Sequence, residues 1–234
     1  MKKILIFTAT YNEFKNIKIL LKKIENLNIN LDILVVDDNS KDGTKEFLKI
    51  CKKNKKNFFL INRSKKLGLN TAHQIAFNFA NRNKYSFLIT MDADLSHNPD
   101  LIPVFLRELK KNKFVIGSRY TKGGRSEMKL FRRFLSIFGN KLIKYVLKIN
   151  SNEFTTSYRG FSIDYMKKIE FSEIRSKGYS FFMETIFLIN KSKINIKEIP
   201  IYFKDRSYGK SKIPKIEIFR TLFNLIRLKF FYKD

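Results

Sequence analysis

Short, nearly continuous apolar runs alternate with stretches of helical spacing through the first half of the chain. Segments 3–8, 31–37, 58–62, 85–91 and 114–118 read as strands of about five to seven residues, apolar enough to be buried on both faces. Between them Ile17, Leu20, Leu21 and Ile24 recur one helical turn apart. Phe47, Leu48 and Cys51 do the same, followed by Ile75, Phe79 and Ala80, and by Leu101, Val104, Phe105 and Leu109. Pro99 is placed to open the last of these helices. A strand–helix order repeated this way predicts an α/β fold with a mainly parallel, doubly wound sheet.

The pattern changes after Ser118. Gly123 and Gly124 mark a loop, and 128–149 reads as a long helix with a polar stripe of Lys129, Arg132, Arg133, Ser136, Asn140, Lys144 and Lys148. A second helix is expected over 178–191, and an alternating strand over 194–203. A basic loop spans 204–213, and Pro214 is expected to open an amphipathic helix to about Tyr232. We read one domain over 1–213 and a C-terminal helix over 214–234. On that helix Glu217, Arg220, Thr221, Asn224 and Arg227 form one narrow stripe, and apolar residues fill the rest.

Composition sharpens this. The chain has 234 residues, 44% of them hydrophobic, enough for a sizeable core. Its net charge of +27 points to anionic partners, although the abundance of Lys, Asn, Ile and Phe is also a compositional bias. A lone cysteine, Cys51, excludes an internal disulfide framework and a cysteine-based zinc site, and fits a reducing compartment. No run approaches the roughly 20 apolar residues of a membrane span, so a cytoplasmic protein, at most peripheral to a membrane, is expected.

In doubly wound sheets ligands sit beyond the carboxyl ends of the strands. The first strand leads into Tyr11, Asn12 and Glu13, a loop able to hold a flat base, with Asn12 alternatively a helix N-cap. The second ends in Asp37 and Asp38, costly to bury unless paired. The fourth ends in Asp92-Ala93-Asp94, hard oxygen donors that suit Mg²⁺ or Mn²⁺ bridging to substrate phosphates. Neither GxGxxG nor GxxxxGK[ST] is present, which argues against a dehydrogenase and a P-loop NTPase. His73 and His97 are the only histidines, and His73 lies on an amphipathic helix and reads as structural.

These strand ends resemble the family 2 glycosyltransferases of the GT-A fold. Leu67-Gly68-Leu69, Gly117-Ser118-Arg119-Tyr120 with Gly123-Gly124, Gly178-Tyr179 with Phe181 and Glu184, Glu198-Ile199-Pro200, and Asp205-Arg206 with Gly209, Ser211 and Lys212 are similar to the dolichol-phosphate (polyprenol-phosphate) mannose synthases within it. Ala9 stands where the family usually has Pro, Ser96 where it commonly has a metal-ligating Gln, and Glu153 and Ser157 where it has Asp and Gly.

The resemblance implies metal-assisted, inverting transfer of a hexose, foremost mannose from GDP-mannose, to a polyprenyl or dolichyl phosphate. It implies Asp92 and Asp94 as ligands of Mg²⁺ or Mn²⁺, with Ser96 a weaker third. Arg119, Arg206 and Lys212 would add positive charge at the phosphates. Tyr11, Glu13 and Asp38 would meet the nucleoside, with Ala9, Val36 and Ala93 lining the donor site and Asp37 supporting the loop. Arg133 is the candidate for the acceptor phosphate. Expected partners are therefore the sugar nucleotide, the lipid phosphate, an anionic membrane surface at the inner face and a membrane protein. The alternatives are transfer to a glycan or glycolipid hydroxyl and, remotely, a basic nucleic-acid-binding module. Against the latter, no nucleic-acid-binding signature accompanies the basic residues.

Overall fold

The structure, a computed structural model, describes residues 2–167, 169, 171, 174–204, 208 and 217–232. Seven strands form the main sheet: β1 (Ile4–Thr10), β2 (Asp32–Asp37), β3 (Phe58–Asn62), β4 (Phe87–Thr90), β5 (Phe114–Ser118), β7 (Arg159–Ser162) and β8 (Ile196–Pro200). Their spatial order is β3-β2-β1-β4-β7-β5-β8. All neighbours run parallel except β7, which is antiparallel to both β4 and β5. Two short strands, β6 (Arg125–Ser126) and β9 (Tyr202–Phe203), pair separately.

Alternate residues of the buried strands serve opposite cores. Leu5, Phe7, Leu34 and Val36 face one layer, with α3 (Leu69–Arg82), α5 (Leu130–Leu147), α6 (Ile163–Met166), α7 (Tyr179–Lys191) and α8 (Glu217–Phe230). Ile6, Ile33 and Val35 face the other, with α1 (Phe14–Glu25), α2 (Thr44–Asn54) and α4 (Ile102–Leu109). This two-sided burial is why the strands read as continuous apolar runs. Chain order turns back across β1 when β4 takes the side opposite β2. The loops after β1 and β4 thus open at the switch point where such sheets bind ligands.

One expectation is corrected, and one strand was not expected. The alternating stretch 194–203 is not one strand. It leaves the main sheet after Pro200, where β5 ends, and Ile201 bridges from the Ser118 carbonyl to the Arg125 N–H before β9 begins. The unexpected strand is β7, which sequence periodicity does not reveal. It has four residues, and Gly160 is needed because Leu109 and Phe105 press within 2.9 and 3.1 Å of where a Cβ would stand.

Candidate active site

Side chains zip the loops after β1 and β2 together. Asn12 N–H donates to Ser40 Oγ (2.8 Å), and Lys41 N–H donates back to Asn12 Oδ1 (2.8 Å). Glu13 N–H reaches Thr44 Oγ1 and Phe14 N–H reaches Asp42 Oδ2, each at 3.1 Å. The first helix is therefore capped across loops by Asp42, and Asn12, held at φ 54°, is not its N-cap. Asp37 is fully buried and accepts from Thr10 Oγ1 (2.8 Å), Ser40 N (2.9 Å) and Ser40 Oγ (2.6 Å), so it organises the loop as expected.

Asp38 is buried too. Its carboxylate forms an ion pair with Arg63 and accepts from Gly68 N–H at 3.2 Å. Ala9 pairs with Val36 in the ladder beneath the loops. Tyr11 lies under the Lys66 ammonium, 4.4 Å from its ring centre, and Glu13 accepts from Asn16 Nδ2 at 2.7 Å.

The carboxylate pair follows β4. Met91 N–H still bonds the Phe7 carbonyl, and then the chain turns, with Leu95 at φ 66°. Asp92 is held at both ends: its N–H donates to His97 Nδ1 (3.1 Å), and Oδ1 accepts from Ser157 Oγ (2.6 Å). Because Nδ1 accepts, we assign the His97 proton to Nε2, facing Thr156 Oγ1 at 3.2 Å. Burial holds the His97 pKa below the ordinary value, outweighing the nearby Asp92 and Asp94 charges, so the ring stays neutral at neutral pH.

Asp94 Oδ1 accepts from Ser96 N–H at 3.1 Å, and Ala93 is buried between the two carboxylates. The Ser96 hydroxyl is buried without a hydrogen-bond partner among the described residues. No group of three or more His, Cys, Asp and Glu side chains suited to a metal occurs among the described residues. Two carboxylates and an unmatched hydroxyl fit a hard divalent cation that keeps waters and phosphate oxygens around it.

Arg119 follows β5 and is gripped from one side. Its Nε and one terminal nitrogen donate to the two Glu153 oxygens, each at 2.7 Å, and that terminal nitrogen also meets Thr155 Oγ1 at 2.7 Å. Both side chains are buried, Glu153 completely. Burial alone would raise the Glu153 pKa, but the Arg119 charge and the hydrogen bonds from Arg119 and Thr155 outweigh it and hold the carboxyl low.

A residue outside the sequence-derived site stands close to the carboxylates. Tyr179, at the start of α7, bonds Arg132 of α5 and feels the Asp92 and Arg119 charges. Burial, then Asp92, push its phenol above the ordinary value, so it stays protonated. Arg133, the sequence-derived residue for the acceptor, stands exposed beside Arg132. Gly178-Tyr179 was visible as a motif, but only the fold brings Tyr179 toward the carboxylates. Arg206 and Lys212 lie outside the described residues.

The profile described as "Glycosyl transferase family 2" matches residues 5–170. An undecaprenyl-phosphate mannosyltransferase of Micrococcus luteus is 31% identical over 212 residues, covering 90% of this chain and 87% of the relative. A polyprenol monophosphomannose synthase of Mycolicibacterium smegmatis is 30% identical over 224 residues, covering 94% and 84%. The crystal structure of glucosyl-3-phosphoglycerate synthase from Mycobacterium tuberculosis, with Mn²⁺, UDP and glucosyl-3-phosphoglycerate, superposes with a TM-score of 0.68 at 12% identity. It covers 97% of this chain and 80% of that one, a likeness of fold that identifies the sheet as GT-A.

Proposed function

The chain belongs to glycosyl transferase family 2, and from that membership we propose that it moves a hexose, mannose from GDP-mannose, onto a polyprenyl phosphate with inversion. One observation carries the substrate class: identity of 30–31% along nine-tenths of the chain to two enzymes named for mannosyl transfer to polyprenyl phosphates.

In this reading Asp92 and Asp94 hold Mg²⁺ or Mn²⁺ beside the Ser96 hydroxyl, and the bound cation would neutralise the departing diphosphate as a Lewis acid. The loops of Tyr11, Glu13 and Asp38 receive the nucleoside, their shape preset by the cross-loop bonds. Asp38 does so through the loop it shares with Arg63 and Gly68 rather than as a solvent-facing acceptor. Arg119 is charge-balanced by Glu153 and acts by orientation, while Arg206 and Lys212 are assigned the diphosphate by resemblance. Arg133, with Arg132 beside it, takes the acceptor phosphate.

A lipid phosphate is already an anionic nucleophile, so alignment suffices and no base is required. The site's own groups agree with this. His97 is buried and bonded through both ring nitrogens, and Tyr179 stays protonated. Neither is available to deprotonate an acceptor hydroxyl.

The test is turnover with a panel of sugar nucleotides, polyprenyl phosphate or saccharide acceptors, and Mg²⁺ or Mn²⁺. Lipid-linked mannose is the expected product. Transfer to saccharides but not to lipid phosphate overturns the reading. Asp94→Ala is expected to lower turnover at least 1,000-fold, on the order of 4 kcal/mol of lost transition-state stabilisation. Its melting temperature should change little, because Asp94 is only partly buried. Near-normal turnover at saturating metal excludes the metal assignment.

A further inference from the structure

Residues 151–158 have no regular secondary structure, yet their polar atoms are matched densely. Glu198, on β8, fixes the start of the segment. Its carboxylate accepts from Ser151 Oγ (2.8 Å), Asn152 N–H at 2.5 Å, Asn152 Nδ2 (2.9 Å) and Glu153 N–H (3.1 Å). Arg159 fixes it from the core. This arginine is buried and donates to the carbonyls of Phe154 (3.0 Å), Thr156 (2.8 Å) and Phe182 (3.0 Å). Thr90 Oγ1, the last residue of β4, closes the end by donating to the Ser157 carbonyl at 2.5 Å.

With two of its carbonyls turned onto Arg159, the segment sends side chains to the site. Glu153 and Thr155 hold Arg119, Thr156 meets His97, and Ser157 meets Asp92. We infer that Ser157 is a positioning residue for Asp92, and that segment 153–157 is a rigid bar fixing the distance between the Asp92 carboxylate and the Arg119 guanidinium. The inference rests on the reading of Asp92 as a metal ligand.

The chemistry is specific. A hydroxyl donating to a carboxylate at 2.6 Å is in the short, charge-assisted range. It fixes the carboxylate's rotation about its own bond, while His97 fixes the backbone from which that bond leaves. Carboxylates that bind metals depend on such outer contacts, and their loss commonly weakens metal affinity 10- to 100-fold. Ser157 is buried, so water does not readily replace a deleted hydroxyl.

The experiment is titration of the full chain with Mn²⁺ in the presence of GDP, followed by the electron paramagnetic resonance of free Mn²⁺, alongside thermal melting and turnover. Ser157→Ala is expected to weaken Mn²⁺ about tenfold. Its melting temperature should hold, and the Mn²⁺ concentration that half-saturates turnover should rise in step with the weakened affinity. Ser157→Thr, which keeps the hydroxyl, restores most of the affinity. Ser157→Cys, nearly isosteric with a weak donor, weakens Mn²⁺ in the same direction and covers the case in which the alanine variant fails to fold. Wild-type Mn²⁺ affinity in a folded Ser157→Ala or Ser157→Cys protein overturns the inference. If Asp92→Asn also leaves the titration unchanged, the metal reading fails with it. If Asp92→Asn abolishes binding and the Ser157 variants do not, only the role of Ser157 falls.

Discussion

His73 and His97 are both buried, and only His97 bonds the loop that carries Asp92. His73 sits among Phe7, Phe181 and Phe182, with ring centres 5.0–5.5 Å away. Burial, and secondarily the Arg159 charge, push its pKa down to about 3 from an ordinary 6.5. Above pH 6.5 the ring is neutral folded or unfolded, and it adds no pH dependence. As pH falls from 6.5 toward 3, the unfolded chain takes up a proton that the folded chain refuses, so stability is lost at about 1.4 kcal/mol per pH unit. His73→Phe removes that loss. Denaturant unfolding at pH 7.5 and pH 5 should show the variant gaining about 2 kcal/mol on the wild type between the two. A difference that does not move with pH contradicts this. The residue scale is also where sequence reading reached furthest and then stopped. Asp92 and Asp94 stood out as candidates because two carboxylates ending an apolar strand are costly without a partner. Ser157, His97 and Tyr179 were not, because their meaning lies in contacts such as Ser157–Asp92, 65 residues apart along the chain.

At the scale of elements, α8 reverses the usual arrangement of an amphipathic helix. Much of its polar stripe faces the protein. Glu217 accepts from Tyr179 N–H (3.2 Å), Thr221 meets Ser180 (3.5 Å), and Arg227 pairs with the buried Glu184 (2.7 Å). Leu225 and Leu228 are buried with them, while Ile218, Phe219, Leu222, Phe223, Ile226 and Phe230 are exposed. The stripe was readable from spacing, but its inward direction was not, because acceptors and donors on α7 decide it. Gly178, at φ 59°, makes room for Glu217: a Cβ there would stand 1.9 Å from its Oε2. Gly178→Ala should displace Glu217 and loosen the start of α8, at a cost of about 1–3 kcal/mol in thermal or denaturant unfolding. An unchanged melting temperature would mean that Glu217 does not tie α8 to α7.

For the whole molecule, α8 packs beside α5: Tyr145 lines one groove with Leu222, Ile226 and Phe230, and Leu130, Phe131, Phe134 and Phe138 of α5 also stand in the open. Exposed apolar side chains gathered on two packed helices mark an interaction face. No helix among the described residues is long and apolar enough to cross a membrane. We propose that this face rests on the anionic inner leaflet, with basic residues such as Lys229 among the head groups, each contributing about 1 kcal/mol near the surface. The full chain should co-sediment with vesicles containing anionic lipid, less so as salt rises. Phe219→Glu with Phe223→Glu should lower the bound fraction at least fivefold, and equal binding by that variant removes α8 from the contact. The doubly wound sheet itself was legible, since two-sided burial writes itself as apolar runs. The antiparallel β7 was not, because four residues with one glycine carry too little pattern.

That small strand has a consequence for how the protein is made. β4 and β5 never touch as neighbours, because β7 fills the gap between them. A nascent chain that has passed residue 118 but not 162 holds both strands with no partner along those edges. Synthesis runs from the N-terminus, so the left half of the sheet can assemble while the right half waits. The segment carrying Ser157 toward Asp92 and Glu153 toward Arg119 is continuous with β7. Completion of the Asp92 end of the sheet and closure of the sheet are therefore one event on the ribosome's timetable. A chain truncated before residue 153 lacks both the segment and β7.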